Sequence, residues 1–365
     1  PLFYLLNGGA PISEPLYQVV NQHWQQSPHT AVTHLTEDEP KVQVMVSQEG
    51  MAELSARQMP PGRRMEHWWV ARYSALSHSS SAAGPIPAPQ TPDEMNQRDE
   101  REEEERETPA SVSQPSADSI HHLPKGAGPG TFLHNLLEES AKLGFDHVAT
   151  DATARRALID RFCVTEYWRA HTDSLDAWLA AYLQQPFAID GDAHTVSLQQ
   201  LRTYKAEPEF WFGADSVSTL QLDKLVSQFI QPCFNRPALD NNRINGMLKG
   251  FIDLVFEHNG RYYVADYKSN WLGEDDNAYS LEAMREKILS SRYDLQYVIY
   301  TLALHRLLKA RIGEEYDYDT HVGGAVYLFL RGHRAATAGA FFDRPARALI
   351  EALDELFAGQ EVSHD

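Results

Sequence analysis

Cysteine is scarce in this sequence of 365 residues, which contains only Cys163 and Cys233. Two cysteines so far apart cannot form the disulfide framework of a small secreted protein, and they cannot supply the four clustered thiolates of an iron–sulfur cluster. The sequence also has no charged-then-apolar leader and no apolar run long enough to span a membrane. These absences predict a soluble, cytoplasmic protein.

Positive charge is also in short supply. Lys and Arg number 32 against 51 Asp and Glu, which gives a net charge of −19. This balance argues against a protein that coats nucleic acid over its whole surface. The charge is unevenly spread, because residues 93–107 carry nine acidic side chains and three arginines, whereas residues 243–311 carry ten basic and nine acidic ones. Any path for nucleic acid must therefore be local.

The loop that binds ATP in motor proteins is missing. Residues 123–130, LPKGAGPG, are rich in glycine, but Lys125 precedes the glycines and no Gly-Lys-Ser or Gly-Lys-Thr follows. A phosphate-binding loop needs that order, because its lysine must reach the phosphates that the glycine-rich backbone cradles. This chain by itself is therefore not expected to hydrolyse ATP.

Composition divides the chain into three parts. Residues 1–77 mix short helix and strand signals, and their Trp68 and Trp69 are either a platform for stacking bases or divided between core and rim. Residues 78–118 are rich in Ser, Pro and charge, which predicts a disordered linker whose acidic block is a solvated spacer or an imitation of phosphates. Residues 119–365 predict a folded domain. Because the sequence starts at Pro1, we expect a fragment of a longer protein.

The clearest local signal in that domain is a β-hairpin within residues 246–270. Two runs rich in Val, Ile, Phe and Tyr flank Asn259-Gly260, a pair that favours a tight turn because both residues tolerate positive φ. Counting back from the turn places Asp253 opposite Asp266, with Cβ atoms about 5 Å apart. Lys268 follows two residues later on the same face.

The surroundings of these charges predict a metal ion. Phe251 and Val255 lie on the charged face, and the opposite face is also apolar, so both faces should be covered. Two opposed carboxylates in such a place are destabilising unless a positive charge sits between them. Mg²⁺ suits two carboxylates, and Lys268 can hold a hydroxide or a phosphate oxygen. The alternative is a surface pair of Asp266 and Lys268 beside a capping Asp253.

The remaining elements predict a mixed α/β fold with helices on both faces of the sheet. We expect a helix to start at Gly130-Thr131 with Thr131 as its N-cap, and with Phe132, Leu133, Leu136 and Leu137 as its buried stripe. The other elements are predicted from apolar periodicity: strands at 197–201, 207–212 and 322–330, and helices at 220–229, 280–291, 294–311 and 344–357.

Three short motifs carry a family resemblance: Gly250-Phe-Ile-Asp253, Asp266-Tyr-Lys268 and Gln296-x-x-x-Tyr300. Together they resemble the PD-(D/E)xK nucleases, and in particular the nuclease domains of helicase–nuclease complexes of the exodeoxyribonuclease V type. The resemblance extends from about Leu54 to the C-terminus. It implies a restriction-endonuclease-like core at 119–365, with residues 1–77 as the end of a helicase region.

The resemblance also implies roles for four further residues. His134 would join Asp253 and Asp266 at the metal, and since imidazole suits softer ions, Mn²⁺ should also be accepted as a substitute for Mg²⁺. By spacing alone, we would expect His134 to be a structural or exposed histidine rather than a metal ligand. Glu209 would orient a water or Lys268, or is simply an exposed glutamate at a strand end. Gln296 and Tyr300 share a helix face and would position a phosphate, or they form a buried polar pair.

The function that the resemblance implies is hydrolysis of DNA. Asp253, Asp266 and His134 would hold the metal, and Lys268 would stabilise the attacking hydroxide. Linear DNA would arrive as single strands from duplex ends, delivered by ATP-driven motors outside this chain. Two further subunits and a recombinase would be partners in break repair. The rival hypothesis is a catalytically silent module of the same shape that binds DNA or protein.

Overall fold

The computed structural model describes residue 18 and residues 69–71, 120–123, 125–190 and 194–359. The chain divides into two units, Pro1–Arg64 and Met65–Asp365, and apart from residue 18 all described residues lie in the second. The predicted boundaries at 77/78 and 118/119 and the predicted linker lie outside the described residues, as does Trp68. Trp69 opens the strand β1, Trp69–Ala71, but its side chain is also outside the description.

The main sheet of the described chain has five strands and is mixed, as predicted. Its order is β10–β9–β8–β7–β4, and β9 runs parallel to β8 while the other neighbours are antiparallel. Strand β9, which lies between β10 and β8, is buried along its whole length, which explains its continuous apolar sequence. The bounds of these strands are Thr203–Ala206 for β4, Leu254–His258 for β7, Arg261–Lys268 for β8, Val322–Phe329 for β9 and Ala340–Asp343 for β10.

Helices cover both faces of this sheet. One face packs against a helical layer through side chains such as Leu133, Leu136 and Leu179. The layer consists of α1 (Ala127–Leu143), α2 (Phe145–Thr150), α3 (Ala152–Phe162), α4 (Glu166–Arg169) and α5 (Thr172–Gln184). The other face packs against α7 (Leu281–Ser290), α8 (Tyr293–Ile312) and α9 (Tyr318–His321), while α6 (Thr219–Phe229) and α10 (Arg347–Phe357) pack against α8 and the strand β5 (Glu209–Ser218).

A bent two-stranded ribbon connects the main sheet to a second, smaller one. Strand β4 pairs with β7 in the main sheet, and the same antiparallel register continues where β5 (Glu209–Ser218) pairs with β6 (Arg243–Phe251). The small sheet has the order β1–β6–β5. At the bend, Glu207 has a positive φ of 44° and donates its N–H to the carbonyl of Asp253 at 3.0 Å. Asp253 therefore lies where the ribbon passes from one sheet to the other.

Two predicted elements differ from the structure. The helix α1 begins at Ala127 with Gly126 as its N-cap, so Thr131 is not the cap and lies buried inside the helix. Pro129 is tolerated there because the first turn of a helix has no intrahelical partners for its N–H groups. The predicted strand at 197–201 is instead a 3₁₀ turn at Leu198–Gln200, and the short strands β2 (Phe187–Ala188) and β3 (Thr195–Val196) precede it.

The hairpin itself is confirmed. His258 pairs with Arg261 and Leu254 pairs with Ala265, which is the predicted register. Asn259 and Gly260 have φ values of 52° and 79°, as the tight turn requires. None of the described helices combines the length and the apolar character needed to cross a lipid bilayer.

Candidate active site

Three charged side chains meet at one end of the main sheet. Strand β7 begins at Leu254 and its antiparallel partner β8 ends at Lys268, so both chain segments leave the sheet at the same edge. Asp253 immediately precedes β7, and continuing the hairpin register places it opposite Asp266. The predicted juxtaposition of Asp253, Asp266 and Lys268 is therefore built by strand register.

Asp253 is bonded from two directions. Its Oδ2 accepts the backbone N–H of Tyr267 at 2.7 Å and lies 3.3 Å from Nδ1 of His134 on α1. Burial alone would raise the pKa of Asp253, but the His134 imidazole, the Tyr267 N–H and Lys268 outweigh burial and bring this pKa below its usual value. Asp253 is thus kept ionised. His134, separated from Asp253 by 119 residues of sequence, is brought to the site as the resemblance implied.

Asp266 is in the opposite electrostatic state. Its side chain is almost fully buried, and its Oδ2 lies 2.8 Å from Nζ of Lys268. Burial is the largest effect and raises the pKa of Asp266; the charge of Asp253 adds to this rise, and the Lys268 ammonium and His134 oppose it, so that the pKa is about 7. Within the part of the chain that the structure describes, this Oδ2 accepts no well-directed hydrogen bond. The site therefore contains a buried carboxylate whose ionised form needs additional positive charge.

Lys268 is held by aromatic rings as well as by Asp266. Its Nζ lies 3.9 Å from the ring centroid of Tyr293 on α8 and 5.4 Å from that of Tyr327 on β9. Cation–π contacts of this kind orient an ammonium group without neutralising it. The hydroxyl of Tyr293 donates to Oδ1 of Asn270 at 3.1 Å, which fixes the ring and hence the lysine.

The residues present fit a hard divalent cation. No group of three His, Cys, Asp or Glu side chains with ready metal-ligand spacing is found among residues 120–123, 125–190 and 194–359. Mg²⁺ does not require one, because it usually takes one or two carboxylates and completes its shell with water and phosphate oxygens. The buried Oδ2 of Asp266 and the neighbouring carboxylate of Asp253 would supply these one or two carboxylate ligands.

Comparison with known proteins decides the family. The model of the PD-(D/E)XK nuclease superfamily matches residues 114–363, more than half of the chain. The chain belongs to the PD-(D/E)XK nuclease superfamily. This confirms the predicted fold class and assigns the hairpin and its carboxylates to a nuclease domain.

Relatives of this nuclease domain are RecB proteins. The RecBCD enzyme subunit RecB of Escherichia coli (strain K12) is 43% identical over 258 residues, which is 69% of this chain and 21% of that protein. The subunit of Haemophilus influenzae is 35% identical over 246 residues, or 66% of this chain and 19% of that protein. The subunit of Mycolicibacterium smegmatis is 28% identical over 326 residues, or 79% of this chain and 29% of that protein. The first relatives are thus about five times longer than the matched segment.

Gln296 and Tyr300 lie in a buried polar chain behind the nuclease centre. The Tyr327 hydroxyl donates to Oε1 of Gln296 at 2.7 Å, and Nε2 of Gln296 donates to the hydroxyl of Tyr300 at 3.1 Å. Tyr327 is also the strand neighbour of Asp266. Both Gln296 and Tyr300 are buried, so the structure places them where they support the position of Tyr327 and Asp266.

Glu209 lies in the small sheet, whereas Lys268 lies in the main sheet. It is the first residue of β5, and its Oε1 forms an ion pair with Nζ of Lys249 at 2.5 Å. Its side chain is 40% exposed. The ion pair with Lys249 and this exposure match the alternative of an exposed strand-end glutamate, and the catalytic role of Glu209 stays a prediction.

Sequence reasoning missed the aromatic support of Lys268. Tyr293 lies three residues before Gln296 on α8, and that helical spacing was a readable signal that both face the same way. Tyr327 carried no such signal. Its place beside Asp266 depends on the parallel pairing of β8 with β9, which are more than fifty residues apart.

Proposed function

We propose that this chain is a metal-dependent deoxyribonuclease that hydrolyses phosphodiester bonds. The observation that carries the proposal is the pair of neighbouring buried carboxyl groups of Asp253 and Asp266. The ammonium group of Lys268 lies beside them, in a domain of the PD-(D/E)XK nuclease superfamily. Asp253 and Asp266 would hold the ion, and His134 would hold Asp253 or complete the ligand set. Mg²⁺ is the expected ion and Mn²⁺ a substitute.

The residues of the chain divide the chemistry between them. A bound divalent cation supplies Lewis acidity, which polarises a phosphate oxygen and lowers the pKa of water. Lys268 donates to the attacking oxygen or to the phosphorane oxygens, and its rigid position above Tyr293 reduces the reorganisation needed. Tyr327, Gln296 and Tyr300 keep Asp266 and its strand in place and exclude water from behind the site.

The resemblance to RecB supports a larger setting. We propose that the substrate is linear DNA, received as single strands from duplex ends, and that the chain acts as the nuclease part of a RecBCD-type assembly with RecC and RecD. Transfer of strands to the recombinase RecA and a cytoplasmic location belong to the same proposal. ATP would enter only through motor regions outside this sequence, because the chain has no phosphate-binding loop.

A silent module of the same shape is the competing function. Such a module needs the fold but not the ionised cluster, and keeping a carboxylate with a pKa near 7 buried beside another carboxylate costs stability. The presence of Asp253, Asp266 and Lys268 together therefore favours the hypothesis of an active nuclease over that of a silent module.

Cleavage of DNA by the full 365-residue chain tests the proposal. We expect release of labelled nucleotides from a linear single strand with Mg²⁺ or Mn²⁺ and none with EDTA. Lys268→Met should lower kcat by about a hundredfold or more, because the transition-state charge loses its donor. The matched control Lys309→Met, on the exposed side of α8, should leave the rate unchanged. Absence of metal-dependent cleavage by the wild-type chain would refute the proposed activity.

The pH dependence should report the contact between His134 and Asp253. His134 lowers the pKa of both carboxyl groups, so His134→Ala should raise both pKa values and delay their ionisation to higher pH. We expect the acid side of the kcat/KM profile to move toward alkaline pH. Measurement of this profile with saturating Mg²⁺, with the exposed His147→Ala as control, checks the shift. An unmoved acid limb would show that His134 does not act on the carboxylates.

A further inference from the structure

Two tryptophans near the catalytic cluster each carry a lysine on their ring. Trp211 on β5 is 48% exposed, and Nζ of Lys249 lies 4.4 Å from its ring centroid and 5.4 Å from that of Phe251. Trp271 follows β8, and Nζ of Lys125 lies 3.3 Å from its ring. Neither pair has a role in the chemistry derived above.

Chain connectivity places both pairs beside the segments that carry Asp253 and Lys268, the first pair in the small sheet and Trp271 in the loop after β8. Phe251 is the last residue of β6, two positions before Asp253, and it is paired in register with Glu209. Trp271 is three positions after Lys268. Because β7 starts and β8 ends at the same edge, the segment that precedes β7 carries one pair and the segment that follows β8 carries Trp271 of the other.

The loop that carries Trp271 is fixed at its base. The buried guanidinium of Arg331 donates to the carbonyl of Ser269 at 3.0 Å and to the carbonyls of Ile120 and Leu123 at 3.0 and 3.1 Å. The hydroxyl of Tyr279 donates to the carbonyl of Asn270 at 3.0 Å. Trp271 is therefore presented on a rigid segment, and the same bonds tie down the segment before Lys125.

The chemistry of these pairs matches one ligand class. Exposed aromatic rings stack on nucleobases of any sequence, and a neighbouring ammonium can bind the phosphate of the same nucleotide. A protein partner would be expected to meet a broader apolar face, whereas here each ring lies beside a cation. Stacking is also available only on unpaired bases, so single strands are favoured over duplex.

We propose that Trp211 with Lys249, and Trp271 with Lys125, are two base-stacking sites that hold a DNA single strand next to the catalytic cluster. This inference rests on the proposed nuclease function and assigns the residues that would hold its single-stranded substrate. Sites on both chain segments that flank Asp253 and Lys268 would orient the scissile bond without reading sequence.

Glu209 gives the first site an internal competitor. Its carboxylate is paired with Lys249 at 2.5 Å, so an incoming phosphate must displace it. Glu209→Gln should therefore tighten single-strand binding, and Lys249→Ala should weaken it. A catalytic Glu209 would instead lower the cleavage rate without improving binding.

Binding of a fluorescein-labelled oligothymidylate to the full chain tests the proposal. The Asp266→Asn background prevents cleavage, so fluorescence anisotropy reads binding alone. We expect Trp211→Ala and Trp271→Ala each to weaken Kd by about fivefold or more, and Trp211→Phe to retain most of the affinity. Lys249→Ala should lower the slope of log Kd against log salt by about 0.7.

Two control variants complete the design. Leu220→Ala removes an exposed apolar side chain in the first turn of α6, which begins after β5 has run about 30 Å from Glu209, and Lys224→Ala removes an exposed charge on the same helix. Both should leave Kd unchanged. Equal Kd values for wild type and both tryptophan variants, each with an unchanged melting temperature, would overturn the proposal even if metal-dependent cleavage is observed. Equal affinity for duplex and single strand would also overturn it.

Discussion

Asp266→Asn should abolish metal-dependent cleavage and at the same time stabilise the metal-free protein. The catalytic loss follows from removing a carboxylate that would hold the ion, and we expect a fall in kcat on the order of a thousandfold or more. The gain in stability follows from the same burial. Asp266 is almost fully inaccessible and faces Asp253, and this raises its pKa to about 7.

The sign of the stability effect can be worked out from that pKa. The folded pKa of Asp266 lies above its ordinary value of 3.8, so the folded state holds the proton more tightly. The stability that this proton contributes is complete below about pH 4 and is lost as the pH rises to about 7. Asparagine does not ionise, so the stability of the Asp266→Asn variant does not fall in this way between pH 4 and pH 7. The free energy of unfolding of the variant should therefore exceed that of wild type by about 1–3 kcal/mol at pH 8 and by little near pH 4.

Urea unfolding in EDTA at several pH values measures this difference. The matched control is Glu257→Gln in the same hairpin, because glutamine keeps the acceptor for the Gly260 N–H at 2.7 Å. That control should cleave DNA normally and show the wild-type pH dependence. A variant that is inactive but less stable than wild type at pH 8 would mean that Asp266 holds the fold together and is not a strained metal ligand.

Asp294→Ala should destabilise the fold by about 3–5 kcal/mol. Asp294 is fully buried, and it accepts from Nη1 of Arg236 at 2.5 Å and from Nε of Arg292 at 3.2 Å. Arg292 is buried too, precedes α8 with a left-handed φ of 60°, and donates to the carbonyl of Pro237 at 2.6 Å. Removing the carboxylate leaves the buried Arg236 without this counter-charge, and leaves Arg292 with the ion pair to Asp223 at 2.7 Å as its remaining one.

The network matters for function because it fixes the start of α8. Tyr293, whose ring lies under the Lys268 ammonium, stands between Arg292 and Asp294. Thermal or urea unfolding measures the loss, and Asp173→Ala is the control because Asp173 pairs with Arg156 on an exposed surface. Surface pairs contribute little, so the control should unfold like wild type. Equal stability of Asp294→Ala and wild type would contradict the role assigned to this network.

The hairpin that carries Asp253, Asp266 and Lys268 was predictable because its signals are local. The Asn259-Gly260 turn fixes the register by itself, and the register alone places Asp253 opposite Asp266. The spacing of apolar residues at intervals of three and four likewise located the buried positions Leu133, Leu136 and Leu137 of the helix α1. These predictions need only neighbours in sequence.

The remaining features depend on residues far apart in the chain. The break between β6 and β7 arises because Glu207 and Pro208 bend the partner strand at the same level, and nothing in the run from Gly246 to Phe256 indicates it. The ion pair of Glu209 with Lys249 follows from that bend. His134 could be connected to Asp253 only by family resemblance, because helical spacing within α1 contains no information about a strand that follows more than a hundred residues later.

Titration calorimetry of the full chain with Mn²⁺, and then Mg²⁺, tests the central claim that Asp253 and Asp266 share a divalent cation. The wild-type chain should show saturable heat of binding, and Asp253→Asn and Asp266→Asn should each abolish it while Glu257→Gln retains it. Undiminished heat in either carboxylate variant, or none in the wild type, would contradict the account.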